Sequence, residues 1–265
     1  MRMMSIASGS SGNCIYVGTD NTHLLIDDGI SKKKVLEGLQ KLNIKAEDIN
    51  AVLITHEHDD HIKGLGVFER HSNTPIYSTK KVINYIKTYT PLGKMPEGVY
   101  HSFTAGDTFK IRDITITTTP VSHDAADPVA YVFSDGKKKT GVITDLGVYD
   151  DRIVKAFSGL DCMLIEANHD VNMLLSGKYP YYLKQRILGE RGHLSNELCG
   201  KLLSELLNEK IEHLLLGHLS KENNFPDLAF ETVKNEINMA DNYHKADDFD
   251  IQVARRDMPS EIISI

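Results

Sequence analysis

The stretch Ala51-Val52-Leu53-Ile54-Thr55-His56-Glu57-His58-Asp59-Asp60-His61 passes from an apolar run into three histidines and three acids within six residues. The run 51–54 reads as a short buried strand, and the polar burst begins where that strand must end. Buried polar groups are costly unless they are paired or bind metal, so the pattern predicts a site at the edge of a sheet. His56 and His58 alternate, and a short extended or turning segment points both imidazoles the same way. Asp60 and His61 follow and can face a second ion. Imidazole nitrogen together with carboxylate oxygen suits zinc, manganese or iron. A lone histidine after a strand would be read as part of a solvated loop. H-x-H-x-D-H behind a buried strand is too specific a pattern for that reading.

The rest of the 265-residue chain is ordinary for a globular protein, with 41% hydrophobic and 25% charged residues. It has room for one large domain or two small ones. No linker, repeat or low-complexity segment interrupts it, so one domain over 1–265 is expected. The net charge of −7 argues against promiscuous nucleic-acid binding and leaves room for a local basic groove. Three cysteines, Cys14, Cys162 and Cys199, have no paired spacing and read as reduced thiols of an intracellular protein. The opening Met1-Arg2-Met3-Met4-Ser5 lacks the apolar stretch of a signal peptide. No apolar run approaches the ~18 residues of a membrane helix. A cytoplasmic protein without membrane contact is expected.

Residues 5–12 read as a Ser/Gly-rich loop leading into a strand at 14–17. Its backbone amides can hold an anion, with the Ser10 and Ser11 hydroxyls assisting. Residues 24–26 form a strand ending at Asp27, and a helix capped by Ser31 follows. Helices are expected at 62–71, 82–89, 196–207 and 228–238. Further strands are expected at 75–78, 99–103, 108–111, 114–119, 129–133, 141–144, 162–165, 212–216 and 250–254. Five apolar strands thus end in a potential ligand: His56 with His58, His123, Asp145, His169 and His218. In open α/β architectures, sites collect beyond the carboxyl ends of strands.

H-x-H-x-D-H after an apolar strand resembles the signature of the metallo-β-lactamase superfamily. The resemblance implies an α/β fold (α+β by some schemes), a four-layer αβ/βα sandwich with a two-metal site between the edges of its two sheets. Asp27 stands where that superfamily carries a structural aspartate. The superfamily's ligand order implies that His56, His58 and His123 hold one metal and that Asp60, His61 and His218 hold the other. Asp145 would bridge the two, so that a shared hydroxide becomes the nucleophile. Gly192-His193-Leu194-Ser195 is similar to a motif of ribonuclease Z and its relatives, which implies that His193 contacts phosphate or donates a proton. Asp60 and His193 are the candidate catalytic residues. About 70 residues separate Asp145 from His218, too few for a β-CASP insertion.

Several motifs together resemble the YycJ (WalJ) family of bacterial exonucleases. They are Ala7-Ser8-Gly9-Ser10-Ser11-Gly12-Asn13, Leu24-Leu25-Ile26-Asp27-x-Gly29, Thr55-His56-Glu57-His58, Glu166-x-Asn168-His169-Asp170, Gly192-His193-Leu194-Ser195-Asn196 and His218-Leu219-Ser220-Lys221-Glu222-Asn223-Asn224. Asp28 departs from the pattern, since relatives often carry Cys there. The resemblance implies a 5′→3′ exonuclease on linear DNA, linked to repair, with two divalent ions, zinc or manganese (iron also fits). RNA is a further substrate to test. Asn168, His169 and Asn223 offer donors to phosphate. Lys32, Lys33, Lys34, the 137–139 lysines, Arg186 and Arg191 can neutralise a nucleic-acid strand. Two other classes share the same metal site: a small-molecule hydrolase of the glyoxalase II or lactonase kind, and a non-catalytic binding protein of this fold.

Overall fold

A computed structural model describes residues 1–265. Two seven-stranded sheets face each other. The first runs in the order Ile263–Ser264, Arg2–Ala7, Cys14–Gly18, His23–Ile26, Ala51–Leu53, Ile76–Thr79, Tyr100–Phe103. The second runs Asp250–Val253, His213–Gly217, Cys162–Glu166, Lys139–Ile143, Val129–Ser134, Ile114–Pro120, Thr108–Ile111. Alternate residues of the inner strands fill the space between them, among them Ile15, Leu24, Leu53, Tyr131, Leu164 and Leu215. The opposite faces are covered by helices. Val35 and Leu39 of Lys32–Lys41, Phe68 of Leu65–Ser72 and Val82 and Ile86 of Lys80–Thr88 pack on the first sheet. Ile153 and Phe157 of Asp151–Phe157, Leu202 and Leu203 of Asn196–Leu206 and Val233 of Pro226–Met239 pack on the second. The layers are therefore helix, sheet, sheet, helix, as the four-layer expectation requires.

Each sheet has a parallel block. Strands 23–26, 51–53, 76–79 and 100–103 run together in the first, and 139–143, 162–166, 213–217 and 250–253 in the second. Parallel strands buried on both faces read as continuous apolar runs, which is why 51–54, 162–165 and 212–216 stand out in the sequence. Their carboxyl ends meet at one edge of the sandwich, and the Ser8 hydroxyl accepts a hydrogen bond from His218 N across the two sheets at 2.8 Å.

The structure corrects two expectations and adds elements to a third segment. The loop begins at Ser8, because Arg2–Ala7 is a buried strand paired with Cys14–Gly18. The helix expected at 62–71 is two helices, Asp59–Ile62 and Leu65–Ser72, separated at Gly64. A Cβ at Gly64 would stand 1.9 Å from the Ile30 carbonyl, so the backbone crosses closely there. Residues 171–191, to which the sequence reading assigns no element, contain helices Val171–Ser176 and Tyr181–Leu188. No residue of the second is fully buried, and its apolar face is short, with Leu183 and Ile187 half-buried on the wall of a small cavity. All three cysteines are free and buried.

Candidate active site

The strand ends are stitched to one another before any side chain is considered. Asn13 N donates to the Asp60 carbonyl, Gly29 N to the Asn13 carbonyl and Asp28 N to the His61 carbonyl, each at 2.8 Å. A Cβ at Gly29 would lie 1.7 Å from the Asp60 carbonyl oxygen, so only glycine permits this approach. Asp27, Asp145 and His218, each just past a strand, have φ of 61°, 58° and 56°. Non-glycine residues rarely adopt this region, and such strain clusters at functional sites.

This frame brings together the seven residues singled out in order along the chain. His58 Nδ1 lies 3.0 Å from His56 Nε2 and 3.3 Å from His123 Nε2. His218 Nε2 and His61 Nε2 lie 3.3 and 3.5 Å from Asp60 Oδ2. Asp145 stands between the two groups, with Oδ2 at 3.1 Å from His61 Nε2 and Oδ1 at 3.7 Å from His123 Nε2 and 3.4 Å from His218 Nδ1. Three imidazole nitrogens converging on one point cannot satisfy one another, since each is either one donor or one lone pair. A divalent cation resolves that convergence, and the nitrogen and carboxylate donor set fits one.

Outer groups orient the ligand atoms. His61 Nδ1 donates to Asp27 Oδ2 at 2.7 Å, leaving Nε2 to face Asp145. Asp27 also accepts from Thr55 N and Thr55 Oγ1 at 2.8 and 2.9 Å. Glu166, not singled out as a site residue, is fully buried. Its Oε1 accepts from His193 Nδ1 at 2.7 Å and His218 Nδ1 at 2.9 Å, and its Oε2 accepts from Leu146 N at 2.7 Å. Such partners fix the ring and tautomer of a metal-binding histidine. The signal was present, since an acid ends the apolar run Cys162–Ile165. Asn13 was missed as well. Its Nδ2 lies 3.1 Å from His61 Nε2.

Electrostatics follow from burial and from these pairs. Burial alone would raise Asp145, but His218, His61 and His56 outweigh it and hold the carboxylate well below its usual range. Burial would lower His218, yet Asp145, with hydrogen bonds to Asp60 and Glu166, pushes it up to about 10. His56 falls well below its ordinary value through burial and the neighbouring His61. His193 rises despite burial because Glu166 and then Asp145 favour its charged form.

A cavity of about 400 Å³ opens on the cluster. Ser10, Asp60, Asp145, His193 and His218 line it, with Tyr85, Tyr89 and Arg186 at the wall. A smaller adjoining cavity of about 160 Å³ is lined by Ser10, Asn168, His193 and Ser220. Other expected contacts are not brought to these walls. His169 is buried with neither ring nitrogen partnered, and burial lowers it to about 4. Asn223 is buried, and its backbone N and side-chain amide bond the Ser220 hydroxyl. Ser11 lines neither cavity, and its carbonyl accepts from Lys63 Nζ. The 137–139 lysines lie at the start of the strand whose other end leads to Asp145, and Lys138 is paired with Asp161 and Glu212. Arg191 is on neither wall and donates to the His123 carbonyl, whereas Arg186, on both walls, pairs with Asp124.

The β-lactamase superfamily domain model matches residues 22–218. Exodeoxyribonuclease WalJ of Streptococcus pneumoniae is 43% identical over 89% of this chain and 88% of its own length. Exodeoxyribonuclease YycJ of Bacillus anthracis is 36% identical over 97% and 96%. The chain belongs to the WalJ/YycJ family of the β-lactamase superfamily. The metallo-β-lactamase fold protein YhfI from Bacillus subtilis, 18% identical, superposes over 98% of both chains with a TM-score of 0.67. The metallo-β-lactamase α/β sandwich expected from the histidine motif is thereby established for this WalJ/YycJ family member. No helix in it is long and apolar enough to cross a membrane.

Proposed function

We propose that the chain is a metal-dependent exodeoxyribonuclease that removes nucleotides from the 5′ end of linear DNA. The observation that carries this reading is Asp145, held between two groups of ligand atoms and within 3.7 Å of histidines from both. His56, His58 and His123 would hold one divalent ion, and Asp60, His61 and His218 the other, with Asp145 reaching both. Zinc and manganese both suit the donors, and iron also fits. When bound, two such ions polarise phosphodiester oxygens, activate water and stabilise the charge of an in-line displacement.

The protein's own groups do the rest. Asp27 and Glu166 hold the imidazoles in their working tautomers. His193 spends Nδ1 on Glu166, so Nε2 is free to hold a proton for the leaving oxygen. Ser10, on the wall of both cavities, is placed to meet a terminal phosphate. The names and high identity of the relatives support DNA as substrate. The direction of digestion, a role in repair, action on RNA, a cytoplasmic location and a single domain without a β-CASP insertion belong to the same proposal. Hydrolysis of a small ester or thioester fits less well, because apart from two tyrosines the cavity wall is polar.

The test is a linear duplex labelled at either end, with and without a 5′ phosphate, digested in manganese. Release of label from the 5′ end is expected. Efficient cutting of closed circular DNA, or release only from the 3′ end, would refute the proposal. Fast thioester or lactone hydrolysis without action on DNA would establish the small-molecule reading instead.

A further inference from the structure

A separate cavity, of about 330 Å³, lies on the other side of the wall built by residues 8–10 and 219–221. Ser10 and Ser220 face the catalytic side, whereas Ser8, Leu219 and Lys221 face this one. Three cations line it, Lys221, Arg255 and Arg256, against one carboxylate, Asp257. The arginine ion pairs of the chain are at Arg2, Arg152 and Arg186. The lysine ones are at Lys33, Lys138 and Lys234. The three cations of this cavity therefore have no carboxylate partner, in a protein whose net charge is −7.

Arg256 is fixed in place. Its Nη2 donates to the Leu219 carbonyl at 3.1 Å, and a Cβ on Gly9 would come within 3.1 Å of its Nε. Phe225 completes the wall at 49% exposure, just before Pro226 opens the helix Pro226–Met239. A large aromatic ring left half in water beside unpaired cations suits a ligand with both a flat apolar face and an anion. A nucleotide has both. The face of a ring can take an unpaired base, and the cations can take its phosphate.

We propose that this cavity holds the nucleotide next to the one being cut, in single-stranded DNA. Its phosphate lies against Lys221, Arg255 and Arg256, and its base stacks on Phe225. The inference rests on the nuclease reading above and extends it from the reacting phosphate to the strand that carries it.

Two variants test it, Lys221→Ala/Arg255→Ala and Phe225→Ala, all at exposed side chains. Metal-loaded proteins are titrated with a fluorescein-labelled single-stranded oligonucleotide carrying phosphorothioate linkages, across a salt series. Hydrolysis of bis(p-nitrophenyl) phosphate, too small to span both cavities, is measured alongside. The double variant should flatten the slope of log affinity against log salt by about 0.7, the amount for one single-strand phosphate contact. Phe225→Ala should weaken binding by roughly tenfold, within the range for one stacked base. Turnover of the small diester should stay at the wild-type level in both. If wild type binds and cuts DNA while both variants bind with unchanged affinity and salt slope, the inference is overturned and the nuclease reading stands. If wild type neither binds nor cuts DNA, both fall together.

Discussion

His193 and His218 occupy near-identical tetrapeptides, Gly192-His193-Leu194-Ser195 and Gly217-His218-Leu219-Ser220. Both give Nδ1 to Glu166 Oε1. What separates them is the other nitrogen. His218 is 1% exposed and turns Nε2 to Asp60, whereas His193 is 21% exposed on the cavity wall. His193 is thus placed as a proton donor and His218 as a ligand. His193→Ala should lower turnover by roughly 10²–10⁴-fold, the span for a general acid or base, with metal content unchanged. The pH profile gives the sign. Glu166 and Asp145 hold the imidazolium to higher pH than in a free histidine. A donor works below its pKa and fails above it, so wild-type turnover should fall on the alkaline side. That limb should be absent from His193→Ala. A variant that loses metal, or keeps the limb, would contradict the assignment. The ligands themselves were legible because each ends an apolar strand. Glu166 was not weighed, since an acid at a strand end is unremarkable until both histidines are seen to converge on it. His169 and Asn223 belong to the quoted motifs, but both are buried away from the cavity walls, and spacing alone does not reveal that.

At the scale of elements, the site depends on backbone contacts among the ends of three segments, at Asn13, residues 27–29 and residues 60–61. Gly29 is the tightest of these contacts, and the sequence shows it only as a glycine after a strand. Gly29→Ala would drive a methyl into the Asp60 carbonyl. The cost should be at least about 3 kcal/mol, the upper part of the range for overpacking, which for a chain of this size lowers Tm by roughly 6–12 °C. Calorimetry showing a Tm within about 1 °C of wild type would contradict this account of the crossing. The strands were easier to read than the helices, because strands buried on both faces are apolar throughout. The helix Tyr181–Leu188 puts Leu183, Arg186 and Ile187 on the smaller cavity and leaves its two tyrosines exposed, so its apolar residues do not form one continuous buried face. The strand Arg2–Ala7 was obscured by the Ser/Gly run that follows it.

Across the whole molecule, two sheets packed on a shared inner core, each with its own outer core under helices, bring carboxyl strand ends to one edge. Each contributes part of the site. His56, His58, Asp60 and His61 follow the first sheet, and His123, Asp145, Glu166 and His218 follow the second. The ligand order along the chain was readable because it samples strand ends in turn, but the cavity lined by Lys221, Arg255 and Arg256 was not. Its cations come from residues 221 and 255–256, distant in sequence and brought together by the pairing of strands 213–217 and 250–253. The central claim is that Asp145 joins two metal sites across this edge. Elemental analysis of wild type and Asp145→Ala, each loaded with manganese or zinc and freed of excess ion, tests it most directly. The account predicts two ions per chain for wild type and at most one for Asp145→Ala. Wild type holding well under one ion after loading, or Asp145→Ala retaining two, would contradict it.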